Sequence, residues 1–546
     1  MTRRTLITNA AIYAPSVPYA TALLIDAGEI AWIGDHSGAE VHRELAHTVI
    51  DAQGHFLAPG FVDAHVHATS TGIMLTGLDL TEVTNKVQLL SLLSDYAKLV
   101  SGGTVLGHGW DETHWSDPTL PTRTEIDRAT WGSVVYLSRV DVHSALVSSS
   151  LIAQLPECQT MAGFEVGPVT QAAHGALRTY ALSSVSDNQR AAAQKTFFAH
   201  ALEQGIVSVH EMAGPQISSH ADARRLRDLA SRPHMPHLAI YWGELWSEHS
   251  AQIVAELNAI GLGGDLFIDG AIGSRTALLH EPYTDLHTTQ GAGYLTPEQV
   301  ANHLSACTNA GMQGGFHVIG DQACEIAMQG AQLAAQRTTE SAFKRLRHRL
   351  EHAEMLSMPN IEAMRALGMT ASMQPLFDAW WGNVGGMYQA RLGERAHSMN
   401  RWGSLQAQGV AVCFSSDSPV TPNTPWSAIH AAMHHHNPRE QITGRAAFNA
   451  HTRAGWRALG SQFDSHGVIQ VGAPANLATW EVSDYEVHVP DARVTQWSTD
   501  PRSATVPLPN LGSADAPDIP TNVCTIVNGE VAYASDNFTD RISGHA

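Results

Sequence analysis

The spacing of apolar positions changes character along the chain. Over the first 58 residues they come in short runs, Leu6-Ile7, Ala22 to Ile25 and Ile30 to Gly34, broken by turn formers such as Asp26-Ala27-Gly28-Glu29. That pattern predicts short strands joined by hairpins. The far end repeats it in Gly467-Val468-Ile469, Asn476 to Trp480 and Cys524 to Val531, so residues 1–58 and 466–546 are expected to form one composite β domain. Between them short apolar strands alternate with stretches of helical spacing, which predicts βα units around a parallel sheet. Eight strands are predicted: Gly60 to His65, Gly205 to Glu211, Leu238 to Trp242, Asp265 to Asp269, Gly314 to Val318, His348 to His352, Met369 to Gln374 and Val410 to Asp417. Eight such units close into an α/β fold of the TIM-like (β/α)8 type over 59–465, with reactive side chains gathered at the carboxyl ends of the strands.

About 140 residues separate the first two of these strands, far more than a βα connection needs. An inserted subdomain is therefore expected at about 69–187. Its Trp110, Trp115, Trp131 and the run Asp117-Pro118-Thr119-Leu120-Pro121 can pack a small core or wall a pocket. The stretch Trp497 to Pro520, rich in Pro, Ser and Asp and without periodicity, reads as an extended surface segment.

Composition narrows the function. A chain of 546 residues with 44% hydrophobic and 15% charged positions buries a large core, so disorder is disfavoured. Its net charge of −20 repels phosphate backbones and anionic headgroups, which argues against nucleic acid as a partner. No run of 18 apolar residues appears, and the start MTRRTLITNAAIYAP lacks the apolar core of a signal peptide, so a cytoplasmic protein with no membrane partner is expected. The five cysteines are scattered without a C-x-x-C spacing and read as packing residues rather than disulfides or a thiolate zinc site. A small-molecule substrate and a homo-oligomer remain open as partners.

Histidine is the unusual count, at 31. Random placement of so many would give about two His-x-His pairs, so the motif alone is weak evidence. One pair, His434/His436, falls in a predicted surface helix after Trp426 and reads as a solvated face. The other, His65/His67, ends an apolar strand, where alternate residues point the same way and both imidazoles can face the barrel mouth. His317, His352 and Asp417 each end a further predicted strand. Four imidazoles and one carboxylate can thus converge, a donor set that suits Zn²⁺ best among divalent metals. His210, Asp111, Asp141 and His143 are candidate substrate contacts, with ordinary hydrogen-bonded positions as the alternative. Trp380 and Trp381 can wall an apolar pocket or fill a core. Arg275 can hold a substrate carboxylate or an internal salt bridge.

These segments resemble the amidohydrolase superfamily, in the branch with N-substituted formamide deformylase-like metal-dependent hydrolases (amidohydrolase family 3). The resemblance rests on Pro59 to His67, Gly109-Trp110-Asp111, Pro121-Thr122-Arg123, Asp269-Gly270 with Ser274 to Ala277, His317 to Asp321, Arg349 to His352 and Ser416 to Pro419. It implies a barrel, a β-sandwich built from both termini, and hydrolysis of a non-peptide carbon–nitrogen bond through a metal-activated water. It also implies that His65, His67, His317, His352 and Asp417 are the ligand positions. Many relatives carry a carbamylated, metal-bridging lysine where this chain has Asp265.

On this reading Asp417 acts as the general base, and His352 binds a second ion or stabilises the oxyanion. A carboxylate on one methylene is expected to fall short of the lysine's reach, so one tightly bound ion is expected, held by His65, His67, His317 and Asp417. A deaminase or lactonase on the same scaffold, or a non-catalytic binding protein, are the rival readings.

Overall fold

The computed structural model describes residues 4–100, 103–486 and 506–544. Eight parallel strands form its central sheet: Phe61–Val66, Ile206–Ala213, His237–Trp242, Gly261–Leu262, Gln313–Val318, Arg349–His352, Thr370–Met373 and Ala411–Phe414. They neighbour one another in chain order, and a parallel bridge from Val66 to Ser418 draws the first and last together. The sheet is a nearly closed barrel. Its strands are buried on both faces, which is why they read as apolar runs rather than as an alternation. Helices cover the outside. Pro297–Ala310, for instance, opens on a Thr296/Gln299 capping box and stops at Gly311 in the left-handed conformation.

The fourth strand differs from its prediction. It spans only Gly261–Leu262, and Asp265 to Asp269 lie beyond it, with Phe267 making one isolated bridge to His317. Glycines end it. A Cβ on Gly263 would stand 2.8 Å from the Gly315 nitrogen, and Gly264 takes φ +75, which turns the chain across the barrel mouth. The eighth predicted strand also stops early, at Phe414, because Ser415 to Asp417 turn inward and end with Asp417 at φ 55.

Strands from both ends of the chain make two five-stranded sheets. One orders Ile542–Gly544, Thr48–Asp51, Arg4–Thr8, Ala22–Asp26 and Glu29–Gly34; the other orders Ala11–Ile12, Phe56–Pro59, Leu477–Glu481, Thr521–Val527 and Glu530–Ala534. Ile7, Leu23, Leu57, Leu477 and Ile526 share one apolar core between them. Between the first two barrel strands lies a further five-stranded sheet, Leu78–Asp79, Val105–Trp110, Val135–Arg139, Ser144–Val147 and Val169–Thr170. Trp110 and Trp115 sit in its core, whereas Trp131 is exposed at a turn.

In the Trp497 to Pro520 stretch, residues 497–505 lie outside the described residues. The rest is less superficial than its composition suggests, since Val506, Leu508 and Leu511 insert into the barrel core. All five cysteines are buried and free. No helix among the described residues is long and apolar enough to cross a membrane.

Candidate metal centre

The first barrel strand delivers His65 and His67 to the carboxyl end of the barrel, both buried. The fifth delivers His317 and the sixth His352. Asp417 follows the eighth, its backbone N–H bonded to the His65 carbonyl at 2.9 Å, while the His67 N–H bonds Ser418. These bonds pin the two ends of the barrel seam together. His352 and Asp417 both hold left-handed backbone, φ 67 and 55, a strained state for non-glycine residues that the surrounding bonds sustain.

The side chains converge. Asp417 Oδ1 lies 3.3 Å from His65 Nε2 and 3.1 Å from His67 Nε2. Asp265, expected to fall short, reaches the middle of the cluster: its carboxylate lies 3.5 Å from His65, 3.2 Å from His67, 3.6 Å from His317 and 3.9 Å from His352. The turn at Gly264 moves the backbone inward, so the short side chain needs no long stem. Asp269, the other carboxylate in that segment, accepts the backbone N–H groups of Leu278, Ile319 and Gly320 and is occupied as a loop staple.

Second nitrogens fix the tautomers. His65 Nδ1 donates to Glu351 at 3.0 Å, His317 Nε2 to the Gly270 carbonyl at 3.2 Å, and His352 Nδ1 to Gln374 Oε1 at 2.9 Å. Gln374 is itself oriented by donating to Ser415 Oγ. Each of these imidazoles therefore turns a bare lone pair inward, and His65 Nε2, His317 Nδ1, His352 Nε2, Asp265 Oδ1 and Asp417 Oδ1 are buried without a hydrogen-bond partner. Buried polar atoms are normally satisfied. Lone pairs left facing one another, with their rings oriented from behind by a carboxylate, a carbonyl and an amide, fit a divalent cation. Donors about 2.0–2.1 Å from a tetrahedral ion stand roughly 3.3 Å apart, the spacing seen among His65, His67, Asp265 and Asp417.

Electrostatics agree. Burial works against a charged His67, yet the Asp265 and Asp417 carboxylates outweigh it and raise the imidazole to about 9. Burial likewise opposes ionisation of Asp417, but the charges of His65 and its neighbours hold its carboxyl far below the usual range. The pair of carboxylates calls for positive charge at this point.

Behind the cradle runs a network that the sequence reading overlooked. Arg349 clamps Glu351 through bonds of 2.8 and 2.9 Å, and also donates to His210 Nδ1 and Tyr241. His210, a candidate substrate contact, is thus a buried acceptor beneath the cradle rather than a wall of the mouth. Alternation in Arg349-Leu350-Glu351 was the available signal, since charges two apart in a buried strand face the barrel interior together. Asp63, two residues before His65, accepts the Ser416 N–H and hydroxyl and fixes the turn that carries Asp417.

Above the cradle is a narrow cavity of about 20 Å³, on the order of one or two waters, lined by Asp141, His143, Ile272, Phe377, Trp381 and Tyr388 over His317, His352 and Asp417. His143 is held neutral, down to about 4, by burial and by His317. Trp381, not Trp380, forms the wall; Trp380 packs from outside because the helix Pro375–Trp381 turns it away. Asp111 does not reach the cavity: it pairs with Arg139 at 2.6 Å and accepts the Trp381 indole N–H at 3.2 Å. Arg275 is likewise engaged, in a two-pronged pair with Asp285.

The second His-x-His pair is not a solvated face. The helix Pro425–Met433 ends before it, and the chain turns inward so that His436 pairs with buried Asp378. Both nitrogens of His435 are engaged, by the Asn437 N–H and the Asn400 carbonyl, which leaves that cluster no free set of lone pairs.

Known proteins carry the same architecture. The chain is 25% identical to a metal-dependent hydrolase from Pyrococcus furiosus of known structure, with a TM-score of 0.67 over 87% of this chain and 98% of that one. It is 24% identical to Protein LONG AFTER FAR-RED 3 of Arabidopsis thaliana over 90% of each chain, and 21% identical to N-substituted formamide deformylase of Arthrobacter pascens over 84% of this chain and 89% of that protein. The amidohydrolase family model matches residues 48–533. The chain therefore belongs to the amidohydrolase family.

Proposed function

We propose that the protein hydrolyses a non-peptide carbon–nitrogen bond of a small molecule, with one divalent cation, Zn²⁺ by the character of its donors, held by His65, His67, Asp265 and Asp417. The observation that carries this reading is the set of inward, unpartnered lone pairs on oriented imidazoles. A cation held there would supply Lewis acidity to a substrate carbonyl and make a water acidic enough to attack near neutral pH. Asp417 is ionised and sits at the cavity floor, so it can accept the attacking water's proton and return it to the departing nitrogen. His352, its Nδ1–H committed to Gln374, offers a lone pair rather than a proton, so it serves as a further donor beside Asp265 in place of an oxyanion partner. His143 and Asp141 face the cavity from the inserted sheet and can orient the scissile group. Phe377, Trp381 and Ile272 keep bulk water off it. The narrow neck favours a slim amide over a folded peptide.

Metal analysis of dialysed, active protein and a panel of N-formyl, N-acyl and ring amides test this together. About one equivalent of metal per chain and release of free amine support the reading. Two retained equivalents would make Asp265 a bridge, with His317 and His352 holding the second ion. Release only of ammonia from ring amino groups, or of hydroxy acid from lactones, would replace the reaction class.

A further inference from the structure

A second cavity, of about 60 Å³, lies between the helix Ala68–Thr76 and the inserted sheet. Its walls are mostly apolar, with Ile73, Met74, Leu78, Leu106 and Leu182 among them. On the measure that gives one water about 10–15 Å³, it has room for several. One side chain is out of keeping with these walls: Arg178, from the helix Gln171–Ser183, lines the cavity partly buried. Among the described residues its guanidinium has neither a hydrogen bond nor an ion pair.

Arg401 is also partly buried without such a bond, but it lines neither this cavity nor the one over the cradle. The fully buried arginines are engaged: Arg139 holds Asp111, Glu112 and Asp141, Arg349 holds Glu351, and Arg391 holds Glu112 and Asp285. In a chain with 52 acidic residues, a guanidinium on an apolar cleft without a carboxylate partner is a counter-charge awaiting one. The other polar groups of the cavity are largely spent. His108 Nε2 donates to the Pro419 carbonyl at 2.8 Å, and Tyr136 bonds His174 at 2.8 Å. Arg178 is left to recognise the charged end of a ligand.

The cleft stands against the metal cavity. Val142 and Pro419 line it, and their chain neighbours Asp141, His143 and Val420 line the cavity over the cradle. On another side Ser70, Ile73 and Leu182 also line a small space that His67 borders. We propose that this cleft binds a small organic carboxylate with an apolar body, the carboxylate pairing with Arg178 and the body packing on Met74, Leu106 and Leu182. Such a ligand can be a product or substrate of the enzyme, or a separate effector; the chemistry of recognition is shared.

Phenylbutyrate and its neutral isostere phenylbutyramide test the site by calorimetry on the metal-loaded protein. The acid is expected to bind about tenfold more tightly than the amide, and Arg178→Met to erase that difference while Arg178→Lys keeps part of it. Met74→Trp, which fills the cleft from its partly exposed side, is expected to weaken both ligands. Equal binding of acid and amide by the unaltered protein, or acid binding that survives both Arg178→Met and Met74→Trp, would overturn the proposal and move the carboxylate to the metal centre. Inhibition kinetics then assign the source. Competition with an amide substrate marks a substrate or product site, and non-competitive behaviour marks an effector site.

Discussion

Two clusters of basic and acidic side chains lie near the barrel mouth, one of arginines and one of histidines, and they differ in how far their polar atoms are paired. In the first, Arg139 meets Asp111, Glu112 and Asp141, Glu112 passes to Arg391, and Arg391 shares Asp285 with Arg275. Each charge there has a counter-charge, and Ser274 and Trp381 close remaining lone pairs of Asp141 and Asp111. In the second, five donor atoms of His65, His317, His352, Asp265 and Asp417 face one another unpaired. The first cluster locks the inserted sheet onto the barrel loops. The second leaves its donors without a counterpart, as a candidate metal cradle does. Burial and charge alone therefore do not mark a functional group; several unmet valences facing one another do.

The largest effect that separates the two should come from the cradle itself. His67→Ala is expected to lose tight metal binding, and Asp417→Asn to lower turnover by about 10³-fold or more while losing less metal, because an amide oxygen still coordinates but takes no proton. Metal content and turnover measured together decide it, and equal losses in Asp417→Asn would make that residue a ligand only. Next comes the closed cluster. Arg139→Met strands the buried carboxylates of Asp111 and Asp141, while Glu112 keeps Arg391, and should destabilise the fold by about 3–5 kcal/mol in urea unfolding, with metal content per folded molecule unchanged. If the metal leaves along with the stability, the two clusters are one unit.

A smaller effect probes the support behind the cradle. Glu351→Gln weakens the hold on His65 Nδ1–H and should lower metal affinity about 10- to 100-fold in competition with a chelator, with coordination otherwise intact. The smallest concerns histidines that are satisfied. His303, His348 and His451 are buried, the first two with both nitrogens bonded and the third through Nδ1, and burial lowers them to about 4, 3 and 4. Below about pH 6.5 the unfolded chain takes up protons there that the folded protein refuses, so stability is expected to fall as pH drops from 6.5 toward 4. Thermal unfolding of metal-free protein at pH 5 and 7 should show a Tm lower at pH 5 by on the order of 5 °C. A Tm that rises toward pH 5 would mean that protonation of His65 and His67, favoured in the metal-free cradle by Asp265 and Asp417, outweighs these three.

Much of this was legible along the chain, for a local reason. Apolar runs bounded by turn residues mark barrel strands because burial on both faces imposes composition on each residue separately, and His65, His67, His317 and His352 stand at or next to the ends of such runs. The fourth strand was misplaced by the same logic. Leu266, Phe267 and Ile268 are apolar enough for a strand, but Gly263 and Gly264 break it, and only the packing against Gly315 shows why.

What the sequence determined by itself is the list of residues brought to the carboxyl end of the barrel, because strand alternation and strand ends are properties of near neighbours. What the tertiary structure alone decided is which of them are free to act. Asp111 is taken by Arg139 and by Trp381, 270 residues away, and the Nδ1 of His210 by Arg349, 139 residues away, while Arg275 is closed by Asp285 and Arg178 is left open. Asp265 reaches the cradle because a turn carries its backbone there. A side chain's availability depends on whether a distant segment supplies its partner, and no local pattern encodes that.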